Sequence, residues 1–239
     1  MRADPQRCWA IVPAAGSGSR MNAGLPKQYL ELHGRTVLAR SLSVLLTCDR
    51  INAVVIALAE TDPYWPELAE SRDSRVHTVI GASSRAGSVL NALNYLDGKA
   101  ALDDLVLVHD AARPCLRAAD LQKLLDAVED TVGGLLALPV HDTMKRSDAA
   151  GLILETVSRE HLWHAQTPQC FAFGPLREAL ETALHDGLVI TDEASAMEAA
   201  GYKPLLVEGS PDNIKITRPA DLQLAKLYLS LAATELGDD

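Results

Sequence analysis

The chain has 239 residues, 48% of them hydrophobic, and a formal net charge of −10. That length holds one large α/β domain or two small ones, and the apolar content supplies a full core, which argues against a disordered chain. The acidic balance without a basic run argues against a nucleic-acid partner. No segment reaches the roughly 18 apolar residues of a membrane span, and the N-terminus has no apolar signal region. Cys8, Cys48, Cys115 and Cys170 are far apart, so a zinc site or disulfide framework is not expected and reduced cytosolic thiols are. A soluble cytoplasmic protein is predicted.

An acidic protein that binds anions must gather its cations locally, which singles out Arg20, Lys27, Arg113, Lys145, Arg159 and Lys215. The first strand is predicted over Trp9–Pro13. It runs into Ala14-Ala15-Gly16-Ser-Gly18-Ser-Arg20-Met21, followed by Leu25-Pro-Lys27-Gln28. Gly16 and Gly18 let backbone N–H groups approach phosphate oxygens. Arg20 adds a bidentate fork and Lys27 a mobile point charge. Met21 breaks the dinucleotide fingerprint, and no Gly-Lys-Ser/Thr completes a Walker A loop.

A helix is expected over Thr36–Thr47 and a strand over Ala53–Ala59. A third strand, Val76–Ile80, leads into Gly81-Ala82-Ser83-Ser-Arg85-Ala-Gly-Ser88 and a helix over Arg85–Leu96. The small residues there suit close contact with a base edge and ribose, or a plain N-cap by Ser83 or Ser84. Leu105–His109 reads as a strand buried on both faces. It ends in Asp110, which can hold a hydroxyl or a hydrated Mg²⁺, and in Arg113, which can take a phosphate or pair with Asp110. His109 is expected to pack rather than act as a base.

A helix over Ala118–Thr131 and a strand over Gly134–Val140 follow. His141–Gln166 is a polar insertion, with Ser147-Asp-Ala-Ala-Gly151 as the turn between two extended arms. An isolated two-stranded arm is marginal in water, so it is expected to pack against a second subunit; the alternative is a lid over its own site. Helices are predicted over Gly174–Asp186, Asp192–Ala200 and Pro219–Leu231, with a strand at Pro204–Val207 and a β-type segment around Lys215. Thr191 and Asp192 supply N-cap oxygens. The alternation predicts an α/β fold, a mostly parallel sheet with helices on both faces. Thr143, Lys145, Arg159, Thr167, Thr191 and Lys215 offer hydroxyls and cations for a second phosphorylated substrate. The absence of a G-x-S-x-G elbow, an H-E-x-x-H pair and His/Cys metal spacing disfavours chemistry needing a strong protein nucleophile. Phosphoryl and nucleotidyl transfer can proceed by positioning and charge stabilisation.

Eight stretches in order resemble the 2-C-methyl-D-erythritol 4-phosphate cytidylyltransferase family of the non-mevalonate isoprenoid pathway. They are Pro13-Ala-Ala-Gly-Ser-Gly-Ser-Arg-Met21, Pro26-Lys-Gln-Tyr29, Val108-His-Asp-Ala-Ala-Arg-Pro114, Asp142-Thr-Met-Lys145, Leu162-Trp-His-Ala-Gln-Thr-Pro-Gln169, Thr191-Asp-Glu-Ala-Ser195, Val207-Glu-Gly209 and Asp212-Asn-Ile-Lys-Ile-Thr-Arg-Pro219. The resemblance implies a Rossmann-like nucleotidyltransferase fold over 1–239, with a dimerisation hairpin at about 141–166. It implies a Mg²⁺-dependent reaction of CTP with methylerythritol phosphate and a homodimer joined through the arms. Ala14, Ala15, Gly16 and Gly18 would wrap the nucleotide, with Gly81, Ala82, Ser83 and Ser88 near cytosine and ribose. Arg20 and Lys27 would stabilise charge on the α-phosphate. Asp110, Ala111, Arg113, Thr167, Thr191 and Lys215 would hold the acceptor. Thr143 and Arg159 would join them from the arm, and Arg159 and Lys215 would aim the attacking phosphate. The family often carries Gly-Gly-Asp near Gly81, where this chain has Gly81-Ala82-Ser83; a contact needing that carboxylate is lost. The rival functions are a ribitol 5-phosphate cytidylyltransferase of the same fold and a catalytically silent nucleotide-binding regulator.

Overall fold

The computed structural model describes residues 7–16, 24–129 and 131–235. In chain order the strands are β1 (Cys8–Pro13), β2 (Glu31–Leu32), β3 (Arg35–Thr36), β4 (Ile51–Leu58), β5 (Val76–Ile80), β6 (Leu105–Val108), β7 (Gly133–Pro139), β8 (Met144–Ser147), β9 (Ile153–Val157), β10 (Trp163–Ala172) and β11 (Leu205–Glu208). The helices are α1 (Val37–Leu46), α2 (Arg85–Leu96), α3 (Ala118–Val128), α4 (Phe173–His185), α5 (Glu193–Ala199) and α6 (Pro219–Glu235). Seven strands form one sheet in the order β11-β7-β10-β6-β1-β4-β5. β1 pairs in parallel with both β4 and β6, β4 with β5, and β11 with β7, while β10 runs antiparallel to β6 and β7.

The strands face two ways because their apolar residues alternate. Ala10, Val12, Val54, Ile56, Leu105 and Leu107 pack with Leu38, Leu42 and Leu45 of α1 and Leu121, Leu124 and Leu125 of α3. Ile11, Val55, Val106, Val108 and Phe171 point the other way, toward α2, α4 and α5. α6 covers a third, smaller cluster around Leu32, Cys115, Ile216 and Ala225. Helices therefore lie on both faces of a mostly parallel sheet, as the alternation of elements requires.

Gly133 shows how tightly β7 and β10 fit. Its φ is +120°, and a Cβ there would lie 2.4 Å from the Phe171 ring, so only glycine is accommodated. Phe171 is fully buried. Phe171→Ala should lower unfolding stability by about 3–5 kcal/mol, read as a shift in the denaturant midpoint.

Three sequence expectations need correction. First, the insertion does not run to Gln166 as arms alone. The arms are the short strands β8 and β9, which among the described residues pair only with each other, with a turn at 148–151. Trp163 onward belongs to β10, a central ten-residue strand. His164, Gln166 and Thr167 mask its alternation, and Pro168, which cannot donate to a ladder, sits where the register with β7 shifts between Ala165 and Gln169. The Thr167–Pro168 peptide is cis. Second, residues 211–217 form no strand. Side chains fix this stretch instead: Asn213 Nδ2 donates to the Thr167 carbonyl at 2.8 Å. Third, Asp192 rather than Thr191 caps α5, in a reciprocal box with Ser195.

β1 sits where the strand order reverses, with β4 and β5 built outward on one side and β6 on the other. In open α/β sheets, ligands bind beyond the carboxyl ends of the strands at such a switch point.

Candidate active site

Beyond the ends of β1 and β6 lies a cleft of about 570 Å³. Its floor begins at Ala14–Gly16, where the chain leaves β1. Gln28, nearly buried, donates from Nε2 to the carbonyls of Ala14 at 2.7 Å and Gly16 at 3.1 Å. With those carbonyls turned toward Gln28, the exit of β1 is fixed from behind. Tyr29, next along, donates to Asp62 Oδ2 at 2.8 Å and stacks on Tyr64, which ties down the turn carrying Lys27. Lys27 reaches the cleft with its ammonium 2.9 Å from the Ile216 carbonyl.

The second wall is the loop from β5 into α2. Ser84 caps α2 by accepting from the Gly87 N–H at 3.0 Å. Ser88 Oγ accepts from the Ala82 N–H at 2.9 Å and donates to the Ser84 carbonyl at 2.9 Å, so its hydroxyl shapes the loop. A Cβ on Gly81 would fall 2.5 Å from the Ala15 Cβ, so the loop can lie against the β1 exit only with glycine there.

Asp110, just past β6, is the centre of charge. Arg85 Nε donates to its Oδ1 at 3.0 Å, Lys215 Nζ lies 2.8 Å from Oδ2, and Arg113 Nε stands 3.7 Å from the same oxygen. Burial alone would raise this carboxyl, but the nearby Arg85, Lys215 and Arg113 charges hold it well below the ordinary carboxylate range. Arg85 also forks onto Glu193, at 2.7 and 3.0 Å. Burial alone would weaken the Arg85 charge, yet the two carboxylates hold it firmly protonated. Complete burial pushes the Glu193 carboxyl up, and the Arg85 fork opposes that.

Beneath Asp110 runs a fixed chain of hydrogen bonds. The Asp110 N–H donates to Thr167 Oγ1 at 3.0 Å. Thr167 Oγ1 lies 3.1 Å from His109 Nδ1, and His109 Nε2 lies 3.1 Å from the Arg113 carbonyl. A carbonyl only accepts, so Nε2 carries the proton and Nδ1 accepts from Thr167. Burial pushes the His109 imidazole down to about 4, so it is neutral near pH 7, and with both nitrogens engaged it is a packing residue. Its depressed value has a consequence for stability. The unfolded chain takes up the proton near its ordinary value of 6.5, whereas the folded chain does so only near 4. The stability it contributes is intact above about pH 6.5 and is lost as pH falls toward 4, by up to about 3 kcal/mol. Denaturant midpoints at about pH 7 and 4.5 should fall less for His109→Gln than for the unaltered chain.

Of the residues singled out in the sequence, Ala14, Ala15, Gly16, Lys27, Ala82, Ser83, Ser88, Asp110, Ala111 and Lys215 line this one cleft. Gly81 lies behind the wall. Arg113 and Thr167 lie beneath Asp110, and Arg113 Nη1 donates to the Asn213 carbonyl at 2.6 Å. Thr191 is exposed beside the α5 cap, and Thr143 and Arg159 are exposed on the arm, away from the lining. Within the arm's base, Arg159 Nη1 donates to the His141 carbonyl. Gly18 and Arg20 lie outside the described residues. Gln28, Arg85 and Glu193 were not anticipated as site residues. Gln28 and Arg85 stand inside motifs read for other residues, and Glu193 looks like an ordinary acid in the first turn of a helix.

A backbone loop, Lys27 and Lys215 line one cleft with Asp110 at the switch point, while Ser84 and Ser88 have their hydroxyls engaged in loop structure. Such a cleft suits transfer between phosphates by positioning and charge, and the chain is a nucleotidyltransferase. Residues 8–231 match the family IspD: 2-C-methyl-D-erythritol 4-phosphate cytidylyltransferase, and the chain belongs to that family. It is 55% identical over 217 residues to the 2-C-methyl-D-erythritol 4-phosphate cytidylyltransferase of Pseudomonas fluorescens Pf-5, covering 90% of this chain and 92% of the relative. The crystal structure of a 4-diphosphocytidyl-2C-methyl-D-erythritol synthase is similar with a TM-score of 0.82 at 36% identity, over 94% of this chain and 99% of that one. The 2-C-methyl-D-erythritol 4-phosphate cytidylyltransferase of Francisella tularensis is similar with a TM-score of 0.82 at 33% identity, over 93% and 99%. Among the described residues, no helix is long and apolar enough to cross a membrane.

Proposed function

We propose that this cleft is where the chain carries out its family's reaction, with the roles of its residues divided as follows. The chain transfers the cytidylyl group of CTP to 2-C-methyl-D-erythritol 4-phosphate. An oxygen of the acceptor phosphate attacks the α-phosphorus of CTP; that P–O bond forms, the bond from the α-phosphorus to the bridging oxygen breaks, and pyrophosphate leaves. The acceptor phosphate is ionised near pH 7, so no protein base is required. Ala14–Gly16, with Gly18, wrap the triphosphate, and Gly81, Ala82, Ser83 and Ser88 form the wall for cytosine and ribose. Lys27, with Arg20, stabilises charge at the α-phosphate, where preorganised cations count most. Asp110 and Ala111 hold the acceptor, with Arg113 and Thr167 supporting Asp110 from below. Lys215 aims the acceptor phosphate. The observation that carries this reading is that Lys27 and Lys215 line one cleft together with Ala14–Gly16 and Asp110 at the switch point.

The described residues contain no cluster of His, Cys, Asp or Glu able to cage a metal. Asp110, already surrounded by Arg85, Lys215 and Arg113, does not suit a divalent cation. Mg²⁺ prefers oxygen ligands and keeps several waters, so the triphosphate itself is its natural ligand here. Incubation with CTP, Mg²⁺ and the acceptor should yield the cytidine diphosphate ester and pyrophosphate by mass spectrometry. EDTA should abolish product without lowering the melting temperature. Absence of the ester, or a melting temperature that falls with EDTA, would contradict these assignments.

The whole chain is read as one domain bearing the arm of β8 and β9, through which two copies join. Leu152, Ile153 and Leu154 at the arm are 67%, 66% and 63% exposed, an apolar run that a partner subunit would cover. Thr143 and Arg159, which do not line this chain's own cleft, then reach the partner's site, and Thr191 borders the acceptor. The free cysteines suit a reducing cytoplasm.

A further inference from the structure

Arg85 uses its whole fork inside the protein. Nε meets Asp110 Oδ1 at 3.0 Å, Nη1 meets Glu193 Oε1 at 2.7 Å and Nη2 meets Glu193 Oε2 at 3.0 Å. The guanidinium thus joins the start of α2 (on the nucleotide wall), the end of β6 and the start of α5. Glu193 is completely buried, and a buried carboxylate deprived of its cation is strongly unfavourable, so Arg85 is not free to leave. The other oxygen of Asp110 is different. Lys215, 40% exposed on a flexible stem, holds Oδ2 at 2.8 Å. Arg113 Nε waits 3.7 Å from that oxygen, buried and without a hydrogen-bond partner.

We infer that Arg85 and Glu193 are positioning residues for the transfer: Glu193 locks Arg85, Arg85 pins Asp110 by Oδ1, and Lys215 is the exchangeable cation on Oδ2. When the acceptor phosphate draws Lys215 away, Asp110 keeps its direction, and the Arg113 Nε closes on the vacated oxygen. The backbone end of Asp110 is held at the same time by Thr167. The inference rests on the acceptor-side roles proposed above for Asp110 and Lys215.

The sign of the effect separates positioning from simple charge. Glu193→Gln makes the cleft one unit more positive, so charge alone would raise kcat/KM for an anionic acceptor. Loss of positioning lowers it. Arg85→Lys keeps the charge but not the fork, and positioning predicts the same fall. Both variants, with Asp110→Asn as reference, would be assayed for kcat/KM toward 2-C-methyl-D-erythritol 4-phosphate at saturating CTP. Calorimetric titration with CTP alone would give its Kd and stoichiometry. We expect each variant to lose at least about tenfold in acceptor kcat/KM, with CTP Kd and stoichiometry unchanged. If Asp110→Asn falls while Glu193→Gln and Arg85→Lys stay level or rise, the inference is overturned and the acceptor-side roles stand. If Asp110→Asn has no effect, those roles fail and the inference with them. A parallel loss of CTP binding in Glu193→Gln and Arg85→Lys would make the pair merely structural and overturn it.

Discussion

Lys27→Ala should lower kcat by about 10²–10³-fold while weakening CTP binding far less. The ammonium projects from a turn that is clamped on both sides, by Gln28 to the β1 exit and by Tyr29 to Asp62. Held at the Ile216 carbonyl, it stands at the cleft before substrate arrives. A preorganised cation is worth most where charge increases between ground and transition state, and the α-phosphate gains its charge during transfer. Truncation therefore costs rate rather than ground-state affinity. Steady-state kcat and calorimetric CTP affinity check this together. Equal losses in both would make Lys27 a binding residue and remove it from the transfer step.

On the proposal that two copies join through the arm, deleting Thr143–Arg159 should leave a monomer and lower activity by about 10²-fold or more, while the domain stays folded. Among the described residues, β8 and β9 pair with each other and with no strand of the main sheet. The ends they leave are already adjacent, since Pro139 pairs with Trp163 and the Val140 N–H donates to the Leu162 carbonyl at 2.9 Å. A short turn can therefore replace the arm without disturbing β7 or β10. On the proposed roles, activity falls because Thr143 and Arg159 no longer reach the partner's site. Light scattering reads the mass, and a melting temperature close to that of the full chain confirms the fold. An unchanged dimer would move the subunit contact elsewhere and favour the arm as a lid over its own cleft.

Where the chain follows simple rules, the fold is legible in it. β4 from Ala53 and the whole of β6 are buried on both faces, so each reads as an apolar run, and the ends of β1 and β6 locate Ala14–Gly16 and Asp110 at the switch point. Thr36, Ser84 and Asp192 cap helices by ordinary local hydrogen bonding. β10 was not legible beyond the polar insertion because His164, Gln166 and Thr167 interrupt its first half and Pro168 follows at once. Its burial comes from β6 and β7 on either side, which no local pattern reveals. The loop around Lys215 looked like a strand from its apolar neighbours Ile214 and Ile216. Ile216 packs under α6, and Asn213 ties the loop to Thr167, so tertiary contacts decide its path.

The same division holds within the site. The phosphate-binding roles proposed for the small residues and lysines were legible because they rest on local chemistry. Arg85 and Glu193 are 108 residues apart in sequence, and nothing in either segment foretells the pairing. Glu193 is a surface residue by pattern and a completely buried one in fact. Arg113 is the converse: a cation placed where it could meet a phosphate, yet turned inward onto Asn213 and Asp110.

The central claim is that this cleft joins CTP specifically to 2-C-methyl-D-erythritol 4-phosphate. The most direct test is pyrophosphate release with CTP and Mg²⁺, comparing that acceptor with ribitol 5-phosphate. Release with methylerythritol phosphate and none with ribitol 5-phosphate is the predicted result. Release with ribitol 5-phosphate alone, or CTP binding with silence toward both, would contradict it.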